Sequence, residues 1–215
     1  MKGLIMRLTD RDYLIMKEIN RWRYCLGRHI RFLGNFSGQR ATDKRLKLLI
    51  ETGYINRKKI IYGIPSLYFL TYKGKVLNHF PTKTDKVRLE QITHDIAVLD
   101  TAIYFVLKEK IPLTDITTEK ELHGIDGFSI RKHRPDFTFG KDNETYCVEV
   151  ELTAKAKNRL EKNIKDNFME YDYQKWVVPN TQIKIIQILD KSKTPYPNIQ
   201  IIDLQEVTTY VKQYN

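Results

Sequence analysis

Arg134-Pro135-Asp136 and, after a short polar turn, Glu149-Val150-Glu151 are the residues of this 215-residue chain whose types and spacing are best suited to chemistry. Read as an antiparallel hairpin turning between Asp142 and Asn143, Asp136 faces Glu149, Arg134 faces Glu151, and Thr138 faces Cys147. Phe137 then faces Val148, and Phe139 faces Tyr146. Strand side chains alternate between faces, so Phe137, Phe139, Tyr146, Val148 and Val150 share one side and Asp136, Glu149 and Glu151 the other. Carboxylates gathered on the far side of an apolar face are costly unless something positive compensates them. A divalent metal or a basic neighbour is therefore expected beside them.

The elements that must position these acids are read from periodicity and turn signals. Residues 111–215 alternate between a strand-like run at 116–122, the hairpin, a helix at about 154–174, strands at 183–189 and 199–202, and a last helix at 204–214. Pro and polar residues mark 177–181 and 191–198 as loops. Before them, residues 87–108 place Leu89, Ile92, Ile96, Leu99, Ile103 and Val106 near helical spacing. This helix is too apolar for a free linker and is a candidate dimerisation surface. His94 on it reads as a satisfied structural residue before it reads as a ligand.

Charge divides the chain. The net charge is +11, yet residues 1–83 hold 18 Lys/Arg against 5 Asp/Glu, and the rest holds 19 against 21. A basic third joined to a near-neutral remainder points to a polyanionic partner. Residues 8–80 fit a winged helix-turn-helix. A first helix is capped by Thr9, with Asp10 and Asp12 in its first turn. A second spans about 24–33, and a third runs from Gln39 to Glu51 and stops at Gly53, which supplies a left-handed cap. Strand-like runs at 54–61 and 66–70 flank the turn Tyr62-Gly63-Ile64-Pro65, and 73–80 closes the unit as a helix. A recognition helix reads base edges from its N-terminal residues, which puts Gln39, Arg40, Asp43, Lys44 and Lys47 forward as DNA-binding residues. Arg57, Lys58 and Lys59 would meet phosphates. Pro81 to Asp85 reads as a hinge, giving domains 1–83 and 84–215.

Several classes find no support. Apolar runs are too short to span a bilayer, and Leu4-Ile5-Met6 is too brief for a signal peptide; a cytoplasmic protein is expected. Cys25 and Cys147 are far apart and lack ligand spacing, so both read as reduced thiols. No nucleophile motif and no phosphate-binding glycine loop occur, and the 13 tyrosines do not cluster with paired histidines.

Arg-Pro-Asp on one strand and Glu-x-Glu on the next, followed by a helix, resembles the PD-(D/E)xK restriction-endonuclease-like superfamily. That resemblance implies that Asp136 and Glu149 hold Mg²⁺ or Mn²⁺, with Glu119 or Glu121 as an additional acid. Such an ion takes oxygen ligands, polarises phosphate and activates water. Glu151 stands where the superfamily has its catalytic lysine; Lys155, which forms a stripe with Arg159 and Lys162, is the substitute. The winged helix together with His94-Asp95-Ile96-Ala97-Val98, Thr118-Glu119-Lys120-Glu121-Leu122, Arg134-Pro135-Asp136 and Val148-Glu149-Val150-Glu151-Leu152-Thr153 looks like the replication-relaxation family of Gram-positive plasmids and integrative elements. The fold expected is thus α+β, a winged helix-turn-helix followed by a restriction-endonuclease-like α/β domain. The function expected is a DNA-binding accessory in plasmid replication, DNA relaxation or conjugative mobilisation. Its partners would be duplex DNA, a relaxase or other mobilisation protein, and a second copy of the chain; binding itself would need no cofactor. The alternatives are a metal-dependent endonuclease and a transcription repressor.

Overall fold

The computed structural model describes residues 7–82, 87–127, 132–154 and 156–214. The chain is a mixed α/β protein that divides into two compact units, with the division between Ile92 and Thr93; the hinge expected at Pro81 to Asp85 lies in part outside the described residues. Among the described residues, no helix is long and apolar enough to cross a membrane.

The first unit runs α1 (Asp10–Arg21), β1 (Cys25–Leu26), α2 (Gly27–Leu33), α3 (Gln39–Glu51), β2 (Ile55–Lys58), β3 (Leu67–Leu70) and α4 (Tyr72–Leu77). Its sheet has the order β1-β3-β2 and is antiparallel throughout. The α1 stripe is Ile15, Met16, Ile19 and Trp22, all buried, whereas Tyr13 and Leu14 stay largely exposed. Thr9 and Asp12 form the capping box that starts α1, and Gly53 takes a φ of 76° just beyond α3, as its position past the last helical turn requires. Strand β1, two residues long, lay inside the stretch expected as helix; so short a run carries no periodicity. At Gly74 a Cβ would strike the Tyr54 carbonyl, so α4 can lie this close to the chain after α3 only with glycine there.

The second unit runs α5 (Ile92–Lys108), β4 (Ile116–Thr118), α6 (Glu119–Asp126), β5 (Phe137–Lys141), β6 (Glu144–Val150), α7 (Lys157–Glu170), β7 (Tyr173–Val178), α8 (Ile183–Ser192), β8 (Ile199–Asp203) and α9 (Leu204–Gln213). The sheet order is β4-β5-β6-β7-β8. β4, β5 and β6 are antiparallel neighbours, while β6, β7 and β8 run parallel through the crossovers α7 and α8. The β5–β6 register is the one expected: Phe137 opposes Val148, Thr138 opposes Cys147, and Phe139 opposes Tyr146. It is set by a two-residue turn in which Asp142 and Asn143 have φ of 52° and 65°, the left-handed pair that matches strand twist.

Both faces of this sheet are covered. On one, Phe105 of α5 lies 6.1 Å from Phe137 and 5.3 Å from Phe139, and rings stack from Phe139 to Tyr146 to Tyr173 at 4.9 and 4.8 Å. On the other, Leu160 and Ile164 of α7 and Ile185 and Leu189 of α8 pack with Trp176, Val178 and Ile199.

Three expectations are corrected. Residues 183–189 form a helix, because Ile185 and Leu189, one turn apart, both enter that core while Ile183 remains exposed. The helix expected to reach 174 stops at Glu170, and a central strand, β7, occupies part of what read as helix and loop. Its polar members hid it: Gln174 bonds the Ile164 carbonyl at 3.1 Å, and Lys175 bonds Glu109 at 3.2 Å and Gln200 at 2.9 Å. The strand expected over 116–122 ends at Thr118, where Thr118 and Glu121 form a capping box and α6 begins; that T-x-x-E signature was present to be read.

Candidate functional site

In the first unit, α3 begins at Gly38 and turns Thr42, Leu46 and Leu49 inward. Gln39, Arg40, Asp43, Lys44 and Lys47 all lie on its exposed side. Gln39 donates its amide to Asp43 Oδ1 at 2.7 Å, and Lys47 makes a long, exposed pair with Glu51 at 3.8 Å. What fixes the helix is Arg45, which sequence reasoning passed over. Its Nε bonds Asp12 Oδ1 at 2.6 Å, and its other arm pairs with Asp12 Oδ2. Asp12 is fully buried. Burial would raise its carboxyl, but the Arg45 and Thr9 donors prevail and hold it below the usual carboxylate range.

Arg57 and Lys58 are exposed on β2 and Lys59 just beyond it. The Arg57 guanidinium lies 5.9 Å from the ring of Tyr68, its cross-strand partner. Gln39, Asp43 and Lys47 of α3, Arg28 of α2, and Arg57 and Tyr68 of the hairpin line one concavity of about 760 Å³. Four of the expected DNA-binding residues, Gln39, Asp43, Lys47 and Arg57, thus share this concavity, while Arg40, Lys44, Lys58 and Lys59 are exposed outside its lining, and Arg28 joins unforeseen. Its signal was a basic residue at the start of the short second helix.

In the second unit, Asp136 precedes β5, and its N–H bonds the Val148 carbonyl at 3.1 Å. Its Oδ2 accepts from the Val150 N–H at 2.7 Å and lies 3.4 Å from His94 Nε2. The same His94 nitrogen is 3.0 Å from the Val150 carbonyl, and its Nδ1 is 3.4 Å from Asp95 Oδ1. Burial opposes protonation of His94, yet Asp136 and Asp95 override it and push the imidazole up to about 10. Glu149 is buried and takes its donors from His133 Nε2 and from Asn167 Nδ2 at 3.0 Å. The basic neighbours expected beside the acids are therefore two histidines. Among the described residues, no group of three or more His, Cys, Asp or Glu is placed to hold a metal ion. As arranged, one oxygen of each carboxylate, Asp136 Oδ2 and Glu149 Oε1, is committed to protein donors.

No protein-family model matches the chain, and no curated protein or solved structure matches it.

The remaining expected site residues scatter. Glu119 is on α6, not on a strand; its N–H bonds the Asp136 carbonyl at 2.9 Å, and its carboxylate sits 3.6 Å from His123. Glu121 is spent on the cap of α6. Glu151 is buried just past β6, with its N–H on the Val177 carbonyl at 3.0 Å. Arg134 bonds Asp126 Oδ2 at 2.9 Å, an acid the strand register did not bring forward. Lys155 lies outside the described residues. Arg159 and Lys162 are exposed on α7, and Lys162 pairs with Asp166 at 2.6 Å.

Sequence reasoning missed His133 and Asn167. His133 directly precedes the Arg-Pro-Asp segment and could have been found there; Asn167 could not, since only the packing of α7 brings it to Glu149. Cys147 and Cys25 are buried, and burial pushes both thiols up, aided by the charges of Glu149 and Glu18 respectively. Neither is a nucleophile in this state.

Proposed function

We propose that this protein binds duplex DNA through its first unit, a winged helix whose α3 enters the major groove. The order α1-β1-α2-α3-β2-β3 and the β1-β3-β2 sheet support that reading. The observation that carries it is the placement of Arg40, Lys44 and Lys47 on the exposed side of α3, with Arg57 to Lys59 on the adjacent hairpin. Arg40 and Lys44 supply base-edge and phosphate contacts near the helix start; the hairpin cations supply salt-dependent affinity.

The second unit presents α5, a three-strand meander, the crossover α7 and a parallel strand, an order that suits the restriction-endonuclease-like reading of the sequence. Its acids serve there as a structural cluster, and the unit acts in assembly or in further DNA contact. We place the protein as an accessory in replication, relaxation or mobilisation of a mobile element.

Binding is tested by fluorescence anisotropy on genomic duplex fragments between about 50 and 200 mM salt. Wild-type affinity should fall steeply with salt, and Arg40→Ala with Lys44→Ala should weaken binding by about 100-fold and flatten the salt slope by about 1 to 2. An unchanged affinity in that double variant would overturn the assignment of α3. Nicking of supercoiled plasmid with Mg²⁺ or Mn²⁺, abolished by Asp136→Ala, would replace the accessory reading with a nuclease.

A further inference from the structure

Between β2 and β3 the chain reads Lys59-Ile60-Ile61-Tyr62-Gly63-Ile64-Pro65-Ser66. Exposed hairpin ends are ordinarily built from Gly, Asn, Asp and Ser, which turn the chain and accept water. This one carries isoleucines, a tyrosine and a proline. Tyr62 is 95% exposed, and Pro65, three residues further along, is exposed as well. Gly63, with φ of 80°, makes the turn that holds the ring outward. The fold gains no core from this residue, which leaves its ring on the surface.

The Lys59 ammonium lies 5.6 Å from the Tyr62 ring centroid, and one strand repeat back Arg57 lies 5.9 Å from Tyr68. Arg57 lines the concavity shared with α3, and Lys59 follows immediately beyond the end of β2. Cations interleaved with rings suit a ligand offering phosphates and flat aromatic faces at short intervals, which is the surface of a nucleic acid.

Resting on the DNA-binding reading above, we propose that the hairpin end is a wedge. Tyr62 enters the minor groove beside the α3 contact and slides between two base pairs while Lys59 holds the neighbouring phosphate. Apolar side chains inserted in this way unstack a step and kink and unwind the duplex. The protein then deforms its site as well as occupying it.

The test uses the full chain at about 50 mM salt with a relaxed circular plasmid and topoisomerase I, read as the topoisomer distribution, alongside anisotropy on a linear duplex. Wild type and Tyr62→Phe should shift the linking number, and Tyr62→Ala should not. The alanine variant should keep duplex affinity within about tenfold, since stacking gain and unstacking cost oppose each other. Wild type that binds without shifting topoisomers, or Tyr62→Ala that shifts them equally, overturns the wedge and leaves DNA binding standing. So does a change of oligomeric state in Tyr62→Ala with topoisomers unaltered, which makes the end a protein contact. Wild type that fails to bind the linear duplex defeats the underlying reading instead.

Discussion

The two units handle charge in opposite ways. In the first, Arg40, Lys44, Arg57 and Lys58 stand on the surface, carried by a helix and a hairpin whose other faces are packed. In the second, Asp136, Glu149 and Glu151 are turned inward, and His94, His133 and Asn167 meet the first two. Exposed like charges repel one another and gain from an external polyanion. Buried charges that already have internal donors gain little from a ligand and lose much if a donor goes. A cluster that looks catalytic by residue type can therefore be structural by arrangement, while exposed cations of ordinary appearance are what the proposed DNA binding rests on.

Four changes would break or sharpen that contrast. The largest effect is expected from His133→Ala, which leaves the buried Glu149 with Asn167 alone: urea unfolding should show a loss of about 3 kcal/mol, with duplex affinity unchanged within about twofold. His133→Gln, which keeps a donor, should recover part of it. If instead DNA affinity collapses while stability holds, the cluster belongs to the ligand and the contrast fails. Next, Arg57→Glu with Lys58→Glu should weaken duplex binding by about 30-fold at 100 mM salt and leave unfolding unaltered; equal affinity would remove the hairpin from the interface.

A third prediction concerns pH. His94 is raised from 6.5 to about 10 by Asp136 and Asp95. A folded value above the unfolded one stabilises fully below pH 6.5 and is lost as pH rises toward about 10. Melting temperature should therefore decline across that window in wild type and decline less in His94→Gln. Parallel curves would mean that His94 carries no such charge. The smallest effect is expected from Lys162→Ala, because that exposed cation already pairs with Asp166 on its own helix. Affinity and stability should both move by less than about 0.5 kcal/mol, and a loss of tenfold or more in DNA binding would extend the interface to α7.

What could be read in advance follows the range of the interactions. The hairpin register, the caps of α1 and α3 and the first unit's helices are set by residues close in sequence, and they were legible. The Asp142-Asn143 turn alone fixed which side chains oppose one another. Strand β7 and helix α8 were not legible, since a buried Gln174 and Lys175 look like loop or helix until Glu109, Gln200 and the Ile164 carbonyl supply partners from elsewhere. In the candidate sites the residue types drew attention to Asp136 and Glu149, but not to the partners that each of them meets. The contacts of His94 with Asp136 and of Asn167 with Glu149, and the clamp from Arg45 to Asp12, depend on helices packing across the sheet or onto each other, which no local pattern encodes.

The chain has two tryptophans, and each unit owns one: Trp22 at the end of α1 and Trp176 in the centre of the larger sheet, both shielded from solvent. Nature has thus given each half its own intrinsic fluorophore. Replacing either with phenylalanine leaves an emission signal from the other alone, so the order in which the halves melt, and whether DNA delays only one of them, can be followed in the intact protein without a dye.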